Sequence, residues 1–97
     1  MHKILCVDDE SNVLDGLRRI LFEDYDVEAV TSGAEALELM QDEEFACIIS
    51  DMRMPEMNGA EFLSKARQIA PDTTRMLLTG QSDMESAISA INDGNIF

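Results

Sequence analysis

Phe45-Ala46-Cys47-Ile48-Ile49-Ser50-Asp51 is five apolar residues and a serine ending on a carboxylate. Apolar and polar residues do not alternate within it. A half-buried strand would show that alternation, whereas a parallel strand covered on both faces would not. The run therefore predicts a buried strand over Phe45–Ser50 that closes at Asp51. Beyond it, Pro55 and Gly59 bracket a loop. Phe62, Leu63, Ala66, Ile69 and Ala70 then mark one face of a helix, which Pro71-Asp72 closes.

The same two-part unit recurs on either side. Lys3–Val7 is β-like and runs into Asp8-Asp9-Glu10. A helix follows, with Ser11 or Asn12 as its N-cap. Its apolar face is Val13, Leu14, Leu17, Ile20 and Leu21, with Gly16 weakening it slightly. Asp26–Thr31 reads as a second strand, broken by Ser32-Gly33, and Ala34, Leu37 and Met40 mark a second helix. After the third helix, Arg75–Thr79 reads as a fourth strand. Met84, Ala87, Ile88 and Ile91 mark a fourth helix, with Gly94 suited to its C-terminal end and Asn95-Ile96-Phe97 to the start of a fifth strand. Strands alternating with helices predict an α/β fold, a doubly wound parallel sheet with helices on both faces. Functional groups of such sheets gather beyond the C-terminal strand ends.

Those ends carry Asp8, Asp9 and Glu10 after the first strand, Asp51 after the third, and Thr79 and Gly80 after the fourth. If the first and third strands are neighbours, at least three carboxylates converge. Like charges held close raise each other's pKa and destabilise the fold, so a compensating cation is expected. An all-oxygen set favours a hard ion such as Mg²⁺. The alternative, that Asp9 and Glu10 cap the first helix, leaves Asp8 and Asp51 at two separate strand ends unexplained. A carboxylate at a rigid strand tip can also act as a nucleophile and form an aspartyl-phosphate. Asp51 is placed for that role, with Thr79 offering a hydroxyl beside it.

Val7-Asp8-Asp9-Glu10, then Ser50-Asp51-Met52-Arg53-Met54-Pro55-Glu56-Met57-Asn58-Gly59, then Leu78-Thr79-Gly80 resembles the receiver domain of bacterial two-component response regulators, in order and along the whole chain. The resemblance implies a flavodoxin-like sheet of order 2-1-3-4-5, here with the fifth βα unit missing or only begun. It implies that residues 1–97 are one receiver domain, incomplete at its C-terminal end. Asp51 matches the phosphoacceptor, and Asp8 and Asp9 match the Mg²⁺-binding pair, Asp9 as the direct ligand. Asp51 and the backbone carbonyl of Arg53 complete the implied metal set. Thr79 matches the switch hydroxyl, and Pro55 and Gly59 match residues that shape the loop, Gly59 by supplying a permissive dihedral.

The implied function is phosphorelay signalling rather than enzymatic turnover. A sensor histidine kinase donates the phosphoryl group, and an output domain or effector protein reads the result. Similarity of the tail from Thr79 to Phe97 to receivers fused to HD-type phosphodiesterase domains makes that class the favoured output, ahead of a DNA-binding or kinase partner. Two family features are missing. The phosphate-pairing Lys would lie beyond Phe97, and Phe97 is the switch aromatic only if an insertion follows it. The unpaired edge of strand four predicts a homodimer or segment exchange there.

The rest of the composition agrees. The 97 residues hold 7 Lys and Arg against 20 Asp and Glu, a net charge of −13. That opposes direct contact with nucleic acid or an anionic membrane. No stretch approaches the roughly 20 apolar residues of a membrane span, and the N-terminus turns acidic too soon for a secretory signal. Cys6 and Cys47 are expected as two buried free thiols, which fits a cytoplasmic location. Asp42-Glu43-Glu44 is expected to be solvated, and Met52, Met54 and Met57 to pack the loop. Two other chemistries are conceivable on such a sheet. A small Mg²⁺-dependent phosphatase with Asp51 as nucleophile would want a second carboxylate two residues on, where Arg53 stands. A flavin carrier would want a hydroxyl-rich loop where Asp8-Asp9-Glu10 stands, and aromatic stacking partners in a chain with no Trp and one Tyr.

Overall fold

Two parallel strands, β1 (Lys3–Val7) and β3 (Cys47–Asp51), form the centre of the sheet in a computed structural model that describes residues 2–78. β2 (Asp26–Val30) flanks β1, and β4 (Thr74–Leu78) flanks β3, giving the all-parallel order β2-β1-β3-β4. The helices α1 (Ser11–Leu21), α2 (Gly33–Asp42) and α3 (Gly59–Ile69) make the crossovers. The expected fourth helix, the start of a fifth strand and Phe97 lie outside the described residues.

Strand alternation divides the apolar residues between two layers. Leu5, Val7 and Ile48 pack with Ala36 and Met40 of α2 and Phe62, Leu63 and Ala66 of α3. Ile4, Cys6 and Ile49 pack with Leu14 of α1 on the other face. Both central strands are thus covered on both sides, which is why their sequences show no polar alternation.

Several boundaries differ from the sequence reading. β3 starts at Cys47 rather than Phe45, although Ala46 N–H already bonds to the Lys3 carbonyl of β1 at 2.9 Å. β4 (Thr74–Leu78) starts one residue earlier than expected, and the expected last residue, Thr79, lies outside the described residues. Helix α1 already includes Ser11 and Asn12. Its N-cap position is Glu10, which makes no side-chain capping bond. The other two helices start on side chains that do cap. Ser32 accepts from Glu35 N–H at 3.2 Å. Asn58 and Glu61 form a reciprocal capping box, Asn58 Oδ1 accepting from Glu61 N–H at 2.8 Å.

Other details correct the expectations further. Cys47 is only half-buried, whereas Cys6 is fully buried and its thiol is pushed up to about 11, chiefly by burial. Glu43 is not simply solvated but ion-paired to Lys3 across the bottom of the sheet. Met52 and Met54 are buried and Met57 half-buried, as loop packing requires. Arg75, read from sequence as an ordinary strand residue, is the largest fully buried side chain among the described residues, and burial lowers its pKa.

Gly59 is needed for a different reason from the one expected. The left-handed residue of the loop is Glu56, at φ 69°. Gly59 is the first residue of α3, and a Cβ there would lie 2.2 Å from the Asp51 carbonyl oxygen and 2.8 Å from Leu77 Cδ1. Gly16, in contrast, has nothing within 4 Å of a built Cβ. Gly59→Ala is therefore expected to destabilise the fold by about 1–3 kcal/mol through overpacking. Gly16→Ala should stabilise it by about 0.5–1 kcal/mol through helix propensity. Urea unfolding of the two variants beside the parent checks both signs.

Candidate functional site

The site follows from one register. Val7 pairs with Ser50 across β1 and β3, so the next residues, Asp8 and Asp51, emerge side by side at the C-terminal ends of the two central strands. Asp9 extends the group from the β1 side. One carboxylate oxygen from each of Asp8, Asp9 and Asp51 falls within 4.8 Å of the others. Asp8 is buried, Asp51 half-buried and Asp9 exposed, so the cluster is open to solvent on one side.

Asp8 does more than contribute charge. Its Oδ1 accepts a hydrogen bond from Glu10 N–H at 2.8 Å, which sets the turn leading into α1. Burial raises its pKa above the ordinary aspartate value, and the charges of Asp9 and Glu10 add to the rise. Burial also raises the pKa of Asp51, followed by the charge of Asp8. The backbone N–H groups of Met52 and Arg53 oppose that rise. Both central carboxyls are therefore destabilised as anions by desolvation and by neighbouring carboxylates. An oxygen-only donor set under this repulsion fits a hard divalent cation.

The sequence-predicted residues divide into two groups. Asp8, Asp9 and Asp51 are brought together. Arg53 lies two residues past Asp51, its side chain exposed in the loop that Pro55 and the capped start of α3 delimit. Thr79 and Gly80 lie outside the described residues. Leu78, the residue before Thr79, pairs with Asp51. Sequence reasoning missed Ser50, whose fully buried hydroxyl bonds to the backbone of Asp51. The signal available was a lone polar residue at the end of an apolar run.

A parallel sheet that gathers carboxylates at its central strand ends offers a place for a hard cation. Residues 4–96 match the response regulator receiver domain family, and the chain belongs to that family. It is 38% identical over 94 residues to the hydrogenase transcriptional regulatory protein HoxA of Bradyrhizobium diazoefficiens, covering 97% of this chain and 19% of that protein. The chain thus spans about a fifth of that relative's length. Among solved structures, it resembles the adenylate cyclase from Rhodopirellula baltica with a TM-score of 0.94 and 41% identity, over 99% of this chain and 72% of that one. It also resembles the signal receiver domain of an HD domain-containing protein from Pseudomonas fluorescens Pf-5, with a TM-score of 0.90 and 34% identity, over 99% and 71% of the two chains. Domains of this family serve phosphorelay signal transduction as phosphoacceptors and are not themselves enzymes.

The raised pKa values give a pH dependence of definite sign. Folding favours the protonated forms of Asp8 and Asp51, so the metal-free protein loses stability as pH rises through their folded pKa values. Asp51→Asn should therefore raise the urea midpoint of the metal-free protein at pH 7. The gain should vanish below about pH 4, where the parent carboxyl is protonated in both states. Equal midpoints at pH 7 would contradict the repulsion.

Proposed function

We propose that Asp51 accepts a phosphoryl group from a phosphohistidine of a sensor histidine kinase, with Mg²⁺ held by Asp8, Asp9, Asp51 and the backbone carbonyl of Arg53. The observation that carries this reading is the convergence of the three carboxylates within 4.8 Å at the ends of β1 and β3. A carboxylate oxygen of Asp51 forms the new P–O bond as the donor's P–N bond breaks, and the imidazole leaves with the electron pair. Mg²⁺, when bound, neutralises charge on the phosphoryl oxygens and on the carboxylates around them. Asp8 holds the approach to α1 through Glu10 N–H, and the backbone N–H groups of Met52 and Arg53 support the charged form of Asp51. The Thr79 hydroxyl then turns toward the phosphoryl group, which carries about two negative charges where the carboxylate carried one, and the surface beyond β4 shifts between two packings.

An output domain or effector protein reads that shift. An HD-type phosphodiesterase output is favoured by the similarity of the tail and supported by likeness to the receiver of the HD domain-containing protein. Two free thiols, at Cys6 and Cys47, support a cytoplasmic setting. Among the described residues, no helix is long and apolar enough to cross a membrane. The phosphatase alternative gains no support, since Arg53 stands where its second carboxylate is wanted.

Incubation with acetyl phosphate and Mg²⁺ is expected to label the parent protein. Asp51→Asn should abolish the label, and chelation of Mg²⁺ should suppress it. Labelling that survives the substitution would exclude Asp51 as the acceptor. The reading also includes contact between two copies at β4, supported by Met76 and Leu78, which are 48% and 39% exposed. Light scattering should show dimer growing with concentration, and a monomer throughout would rule that contact out.

A further inference from the structure

Serine at position 50 is chemically out of place. It lies on the same face of β3 as Ile48, beneath α2 and α3, with Val7 and Leu77 as its register partners on either side. Its exposure is 0%. A hydroxyl in an apolar layer costs stability unless it is hydrogen-bonded, and an alanine there would avoid that cost.

The hydrogen bond it makes is to the backbone of the next residue. Ser50 Oγ donates to the Asp51 carbonyl at 3.0 Å. The same peptide, joining Asp51 to Met52, is held at its other end, where Met52 N–H donates to the Leu78 carbonyl at 3.0 Å. Gly59 presses on it from α3, approaching the Asp51 carbonyl so closely that only a glycine fits, and its N–H donates to the Met52 carbonyl at 2.8 Å. The plane of this peptide fixes one of the two backbone torsions of Asp51. It therefore helps set the direction in which the carboxylate leaves the strand.

We propose that Ser50 is a positioning residue for the phosphoacceptor: its buried hydroxyl holds the Asp51–Met52 peptide in the orientation that aims the Asp51 carboxylate at Asp8 and Asp9. The proposal rests on Asp51 being the acceptor. Without the hydroxyl, Gly59 and Leu78 still confine the peptide, but its carbonyl can tilt, and the carboxylate moves by a fraction of an ångström relative to its partners.

The test compares Ser50→Ala, which removes the donor, with Ser50→Thr, which restores it at the cost of one methyl group. Labelling by acetyl phosphate is followed at saturating Mg²⁺, with thermal unfolding of each variant in parallel. Ser50→Ala should label about three- to tenfold more slowly while fully folded at the assay temperature, and Ser50→Thr should recover most of the rate. A parent-like rate for Ser50→Ala overturns the proposal. So does a slow but folded Ser50→Thr, which would assign the effect to packing instead of the hydroxyl. If Ser50→Thr does not fold, Ser50→Cys replaces it and should lie between Ala and Ser, because a thiol is a weak donor. Asp51→Asn run alongside separates the two claims. Labelling of Asp51→Asn removes the acceptor assignment itself, whereas its silence together with a parent-like Ser50→Ala removes only the role of Ser50.

Discussion

The pairing of Val7 with Ser50 is the constraint on which the rest of the structure depends. It comes from burying Leu5, Val7 and Ile48 on one face of the sheet and Ile4, Cys6 and Ile49 on the other. A one-residue slip would exchange those two sets, so hydrophobic burial holds the register firmly. The carboxylates of Asp8 and Asp51 are carried along by that register into mutual repulsion. The apolar layers stabilise an arrangement that the charges themselves oppose, and the strain is local to the place where a cation and a phosphoryl group would act.

The loop after β3 couples this acidic end to the helical layer. Gly59 touches the Asp51 carbonyl, Asn58 and Glu61 cap the same helix, and Met54 is buried in the layer that α2 and α3 share. A change of charge at Asp51 therefore bears on backbone that already belongs to the core. Close-packed contacts of this kind respond by moving between discrete packings rather than by deforming gradually. Such coupling would let a phosphoryl group at the proposed acceptor Asp51 be read elsewhere on the domain.

Much of this was legible from residue order. The apolar runs ending at Val7 and Asp51 announced central parallel strands, and the acids at their ends announced the site. Other details were misread. Gly59 was credited with a special dihedral, whereas Glu56 has the left-handed backbone and Gly59 makes room for Asp51. Ser11 and Asn12 looked like caps, yet the turn into α1 is set by Asp8. Glu43 looked solvated but pairs with Lys3, forty residues away. The Glu43 and Gly59 misreadings concern partners in other elements, which local propensity does not see, and the α1 misreading concerns a turn side chain placed just before the helix.

The sequence by itself determined the alternation of strands and helices, the burial of the central strands on both faces and the identity of the acidic residues, because periodicity and side-chain chemistry are local properties. Only the tertiary structure decided that Asp8, Asp9 and Asp51 share one small volume, since that depends on the strand order and register that packing selects. It also decided that Ser50 faces inward onto the backbone of Asp51, and that Gly59 is required by proximity. The first and last of these are distances between elements and the second is the burial of one strand face, and all three are set by how the layers pack.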